Sequence, residues 1–145
     1  MAAKSINTFR KFALADDDAD DAELFCEALA EVNPAISCEY ASNGKVLLDK
    51  MRNLQSDLPD IIFLDINMPE MNGWDSLTEL KKHSSLKDIP VVMYSTSSTH
   101  RDMQAAKKLG ANFFYTKPDS FSQLKGFLEK LIENPGQYNI RSSNR

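Results

Sequence analysis

Three short apolar, β-prone runs in this chain end abruptly in charge and a turn. The middle one, Ile61-Ile62-Phe63-Leu64, lies between Pro59-Asp60 and Asp65-Ile66-Asn67-Met68-Pro69. A continuous apolar run closed by turn residues at both ends reads as a strand covered on both faces, as in parallel sheets. Phe12-Ala13-Leu14-Ala15 likewise runs into Asp16-Asp17-Asp18, and Phe113-Phe114-Tyr115-Thr116 into Lys117-Pro118. Parallel strands finish at a common edge, and open α/β sheets build their binding crevices there. Three acids, Asp16, Asp17 and Asp65, and one lysine, Lys117, are therefore expected to meet.

The intervening sequence supplies the crossovers such a sheet needs. Strands are predicted near 9–15, 36–41, 60–65, 90–95 and 112–116, and helices near 19–32, 44–54, 73–83, 98–109 and 120–133. Five βα units in succession give a doubly wound α/β sheet with helices on both faces. Asn33-Pro34 stops the first helix, Asn43 can cap the second, Gly110 ends the fourth, and Asp119-Ser120 can cap the fifth. Leu24, Leu29 and Val32, and Phe121, Leu124, Phe127, Leu128 and Leu131, recur at helical spacing and read as core faces. Asp18 to Asp21 fit N-cap and first-turn positions. Gly73 reads as a plain turn or N-cap glycine. The stretch from Asn134 to Arg145 is polar and reads as a frayed tail.

At 145 residues the chain fits one domain, here 9–133 with a 134–145 polar tail and no effector domain, since domains most often hold roughly 100–150 residues. A formal charge of −4 with no basic cluster excludes a nucleic-acid footprint. Cys26 and Cys38 have no CxxC spacing and read as buried, reduced thiols. No run approaches the ~18 apolar residues of a membrane span, and Met1 to Ile6 hold no signal core. These features give the expectation of a cytoplasmic protein.

Asp16, Asp17 and Asp65 would repel one another unless a cation offset them. Magnesium suits, because it takes carboxylate, carbonyl and water oxygens and keeps sites open for a phosphate oxygen. Lys117 can then hold a second phosphoryl oxygen. Neither His83 nor His100 falls near a strand end where it could act as a base, and no GxxxxGK[ST] loop is present to hold a nucleotide. Asp65 is left as a nucleophile that would form an acyl phosphate.

Asp16-Asp17, Asp65-Ile66-Asn67-Met68-Pro69-x-Met71-x-Gly73, Pro90-Val91-Val92-Met93-Tyr94-Ser95-Thr96, and Gly110-Ala111 with Lys117-Pro118 together resemble the receiver domain of two-component response regulators (CheY-like), over about residues 9–133. The resemblance implies a flavodoxin-like, five-stranded parallel sheet of order 2-1-3-4-5 flanked by five helices. It implies a stand-alone, single-domain phosphorylation switch. The donor would be a sensor histidine kinase or histidine phosphotransfer protein, and the output an unidentified protein, with neither nucleic acid nor membrane involved. By motif position Asp65 is the phosphoacceptor, and Mg2+ is held by Asp17, Asp65 and the Asn67 backbone carbonyl, with Asp16 acting through water. Lys117 contacts the phosphoryl group, Ser95 is the switch hydroxyl and Phe114 the switch aromatic. Thr96 stands where a small residue is usual and is expected to crowd the phosphoryl pocket. Phe114 lacks the hydroxyl of the more frequent tyrosine, so switching there would rest on packing.

Other readings fare worse on the residues. Asp16, Asp18, Asp20 and Glu27 match part of a calcium loop, but Asp21 stands where that loop needs glycine. An aspartyl-nucleophile phosphatase of the haloacid dehalogenase type places its nucleophile after the first strand with a second aspartate two residues on. Here the nucleophile follows the third strand and Asn67 stands in that place. A scaffold that has lost phosphorylation is disfavoured by intact Asp17, Asp65, Ser95 and Lys117. Pro118 allows a cis bond that would fix the direction of Lys117.

Overall fold

Along each inner strand, successive apolar side chains belong to opposite faces of one sheet, as the two-residue period of a strand dictates. The computed structural model describes residues 9–54 and 57–141. Its strands are β1 (Lys11–Ala15), β2 (Ser37–Ala41), β3 (Ile61–Leu64), β4 (Val91–Ser95) and β5 (Phe113–Thr116), all parallel in the order β2-β1-β3-β4-β5. Helices α1 (Ala19–Val32), α2 (Gly44–Leu54), α3 (Gly73–Lys82), α4 (His100–Lys108) and α5 (Phe121–Glu133) make the crossovers. Phe12, Leu14, Phe63 and Tyr94 enter an aromatic-rich core with Phe25 and Leu29 of α1 and Leu124, Phe127 and Leu131 of α5. Ala13, Ala15, Ile62, Leu64 and Met93 enter an aliphatic core with residues of α2, α3 and α4. Every residue of β3 and β4 is buried, which is why both read as continuous apolar runs.

Local signals place the helix ends. Asp18 caps α1 by accepting from the N–H groups of Asp20 and Asp21, and Ser120 caps α5 by accepting from Gln123. Asn43 Oδ1 accepts from Val46 N–H at the start of α2. Gly110, at φ 97°, follows α4 in the left-handed region that glycine adopts without strain.

Four sequence expectations are corrected. Leu24 is 45% exposed, because α1 buries the stripe Ala22, Phe25, Ala28 and Leu29 and Leu24 lies off it. Residues 134–141 are anchored at points along their length, not frayed: a 3-10 turn over Pro135–Tyr138 sets the Tyr138 ring edge-on to Phe113 and Phe127, and Pro135 and Ile140 are buried. Cys26 and Cys38 form a disulfide with Cα atoms 5.9 Å apart. The crossover from α1 brings β2 back alongside it, a juxtaposition their spacing of twelve does not reveal. Finally, no described peptide bond is cis, so the Lys117–Pro118 bond is trans. The early residues Met1 to Ile6 and the last four, 142–145, lie outside the described residues. No described helix is long and apolar enough to cross a membrane.

Candidate functional site

The strand order reverses between β1 and β3, so the crevice of this sheet opens at the carboxyl ends of those two strands. Ladder hydrogen bonds continue one residue beyond the strands. Asp16 N–H donates to the Ala41 carbonyl at 3.1 Å, Asp65 N–H to the Ala15 carbonyl at 3.0 Å, and Lys117 N–H to the Ser95 carbonyl at 2.7 Å. The backbone of each charged residue is thus held by a neighbouring strand, and the side chains converge.

Asp16 and Asp65 are buried and Asp17 is exposed, with one carboxylate oxygen from each lying within 4.8 Å of the others. Asp16 Oδ1 accepts from Asp18 N–H at 2.9 Å. Among the described residues its buried Oδ2 has no aligned hydrogen bond, and it lies 2.8 Å from Lys117 Nζ as an ion pair. Asp65 Oδ1 accepts from Ile66 N–H at 2.8 Å, and Oδ2 lies 3.6 Å from Lys117 Nζ. Burial pushes the Asp65 carboxyl up to about 6; Lys117 opposes the rise and the Asp16 charge adds to it. Buried carboxylate oxygens that face one another with few donors are the ligand set of a hard divalent cation. Asp16, Asp17 and Asp65 fit one.

Lys117 makes a third contact that sequence reasoning missed. Its Nζ donates to Asp21 Oδ2 at 2.9 Å, shorter than its approach to Asp65. Burial alone would pull the ammonium's pKa down, but Asp16 and Asp21 more than reverse this and hold it above the ordinary lysine value. The ammonium also lies 5.4 Å from the centre of the Tyr94 ring. The sequence points to Asp21 only as a first-turn acid, a position the helix dipole already explains. Tyr40 of β2 was missed as well: its hydroxyl donates to the Asp16 carbonyl at 2.8 Å and braces the acidic loop.

The remaining expected residues surround this cluster. Ser95 is buried at the end of β4, where its Oγ accepts from Ser97 N–H at 3.2 Å. Thr96 is exposed in the loop that follows, and Thr116 Oγ1 donates to the Ser97 carbonyl at 2.8 Å, tying that loop to β5. Phe114 is half-buried and lines a cleft of about 210 Å³ with Met103, Ala106 and Ala111. Asn67 is exposed in the loop after β3. His100 is exposed beside Gln104, outside the carboxylate cluster.

Gly73 corrects a further expectation. Asn72, not Gly73, caps α3, by accepting from Asp75 N–H. A Cβ on Gly73 would collide with the Asp65 carbonyl, and Gly73 N–H donates to the Ile66 carbonyl at 2.8 Å. The glycine permits α3 to start directly against the end of β3 that carries Asp65. No calcium loop forms, since Ala19–Val32 is helical and Asp18 Oδ1 is occupied in capping.

Comparison with known proteins agrees with this geometry. The "Probable methanogenesis regulatory protein FilR2" of Methanothrix harundinacea is 30% identical over 123 residues, spanning 83% of this chain and 79% of that protein. The crystal structure of the phosphorylated cyanobacterial phytochrome response regulator RcpA superposes with a TM-score of 0.79 at 30% identity, covering 88% of this chain and 94% of that one. The Mn(2+)-bound form of response regulator Rcp1 shares the fold, with a TM-score of 0.77 at 24% identity over 93% of this chain and 99% of that one. Against the protein-glutamate methylesterases of Methanosarcina mazei and Archaeoglobus fulgidus the chain spans 28% and 32% of their lengths. The response regulator receiver domain family matches residues 12–129, most of the chain, and the chain belongs to that family.

Proposed function

We propose that this protein is a response regulator whose Asp65 accepts a phosphoryl group from the phosphohistidine of a sensor histidine kinase or a histidine phosphotransfer protein, in the cytoplasm. The observation that carries this reading is the buried Asp65 carboxylate, with Lys117 Nζ at 3.6 Å and a carboxylate oxygen each of Asp16 and Asp17 within 4.8 Å. An Asp65 oxygen attacks phosphorus, the P–N bond breaks, and its electron pair stays with the imidazole nitrogen. Lys117, kept charged by Asp16 and Asp21, neutralises a phosphoryl oxygen. Asp17, Asp65 and the Asn67 carbonyl would hold Mg2+, with Asp16 acting through a bound water, and the ion would supply further neutralisation of phosphoryl charge.

Output then depends on Ser95 and Phe114. Ser95 Oγ accepts from Ser97 N–H in this structure; turned toward a phosphoryl oxygen it would donate instead. The loop carrying Ser97 would shift with it, and Phe114 would repack against α4, altering the surface offered to a partner protein. Thr96 would restrict in-line access of water to phosphorus. The test is intact-mass spectrometry after treatment with acetyl phosphate and Mg2+. A single phosphoryl adduct is expected on wild type and none on Asp65→Asn; equal labelling of both overturns the assignment.

A further inference from the structure

Lys117 has three N–H donors and three carboxylates around it, and the distances rank them. Asp16 at 2.8 Å and Asp21 at 2.9 Å are in contact, whereas Asp65 at 3.6 Å lies beyond hydrogen-bonding distance. Asp16 is held through its backbone N–H on the Ala41 carbonyl and by the Asp18 N–H on its Oδ1. Asp21 belongs to a different element, the first turn of α1, and reaches Lys117 across 96 residues of sequence. Its backbone N–H is already satisfied by the Asp18 cap, at 3.1 Å, so helix capping does not account for where its carboxylate points. The side chain is about one-third exposed and the ammonium it grips is nearly buried, so the pair is partly shielded from solvent.

We infer that Asp21 is a positioning residue that holds the Lys117 ammonium back from Asp65 in the unphosphorylated protein, competing with the incoming phosphoryl group for it. This rests on Asp65 being the phosphoacceptor and adds a control to that site. Two effects act in the same direction. A phosphoryl oxygen must draw Lys117 away from Asp21 or share it, and the Asp21 charge itself opposes a second anion at the same ammonium. In return Lys117 is kept from hydrogen-bonding Asp65, leaving that carboxylate only a longer-range ion pair until a cation and a phosphoryl donor arrive.

The test is calorimetric titration with beryllofluoride in the presence of Mg2+, paired with the rate of acetyl phosphate labelling by intact mass. Asp21→Asn should bind beryllofluoride roughly three- to ten-fold more tightly and label faster by a similar factor, the size expected for one partly shielded charge at close range. Asp21→Glu, which restores the anion, should return both values toward wild type. Asp20→Asn removes the same charge from the same helical turn at an exposed position outside the Lys117 cluster. It should leave affinity and rate near wild type. A role in the helix dipole alone would change thermal stability in both Asn variants and leave beryllofluoride affinity unmoved. Equal affinity in wild type and Asp21→Asn, or an equal gain in Asp20→Asn, overturns the inference while the phosphoacceptor assignment stands. A wild type that takes up neither beryllofluoride nor label overturns both.

Discussion

Strand β3 carries a buried aspartate at each end, Asp60 before it and Asp65 after it, 5% and 8% exposed. Their surroundings are opposite in kind. Asp60 Oδ2 accepts from the backbone N–H groups of Arg10 and Lys11, at 2.7 and 3.2 Å, so a charge at the amino edge of the sheet secures the entry of β1. Asp65 accepts a hydrogen bond from its own neighbour Ile66 and stands near Asp16 and Asp17, while Lys117 Nζ lies closer to Asp16 and Asp21 than to Asp65. Buried charge is tolerable when backbone donors satisfy it and costly when they do not. The amino edge is therefore a solved structural problem, and the carboxyl edge keeps an electrostatic deficit of the kind a divalent cation relieves.

The sharpest way to break that contrast is to mutate both ends. Asp60→Ala leaves two strand-entry N–H groups without their acceptor and should cost about 2–4 kcal/mol in urea unfolding. A loss within ~0.5 kcal/mol, typical of a surface substitution, would mean the amino edge is not held this way. Gly73→Ala should cost about 1–3 kcal/mol, because the added methyl meets the Asp65 carbonyl and α3 has to move off the strand end.

Asp65→Asn should do the reverse and stabilise the metal-free protein by about 1–2 kcal/mol at pH 7. The sign follows from the Asp65 carboxyl, about 6 in the folded protein against an ordinary 3.8. Between those values the native state binds more protons than the unfolded chain, so this group's contribution to stability falls as pH rises through that window. The advantage of Asp65→Asn over wild type should grow from pH 4 to pH 6 and then level off, and saturating Mg2+ should shrink or invert it. A constant difference across that range would place the burden on other groups. The smallest effect is expected in the loop beyond Asp65, where Glu70 sits at φ 67°. Glu70→Gly should gain up to ~1 kcal/mol by relieving a left-handed backbone, with phosphorylation unchanged.

How much of this was legible in the sequence depended on the range of the interaction. Strands β3 and β4 announced themselves because both faces are covered, and the convergence of Asp16, Asp17, Asp65 and Lys117 followed from parallel strands ending at one edge. Caps such as Asp18, Asn43 and Ser120 are local hydrogen-bond chemistry and were equally readable. The misses are long-range or depend on exact rotation. The Asp21–Lys117 pair joins a helix turn to a distant loop, and Cys26 meets Cys38 only because α1 packs beside β2. Leu24 satisfied a helical period yet missed the buried stripe by one position on the wheel. The tail near Tyr138 looked polar because its anchors are two isolated residues, Tyr138 and Ile140, too few to make a period. Gly73 carried no sequence mark distinguishing a turn glycine from one that lets a backbone come close.

If the carboxyl edge is coupled to α4 and β5 and the amino edge is closed, the two edges should respond differently to a bound ligand. Amide chemical shifts recorded before and after adding Mg2+ and beryllofluoride test this in one experiment. Shifts should change at Asp17, Asp65 and Lys117 and extend through residues near 98–125, around Phe114, and the amides of Arg10 and Lys11 bound to Asp60 should stay fixed. Changes confined to the three loops would deny the coupling, and no change at Asp65, or a response centred on the Asp60 edge, would contradict the account outright.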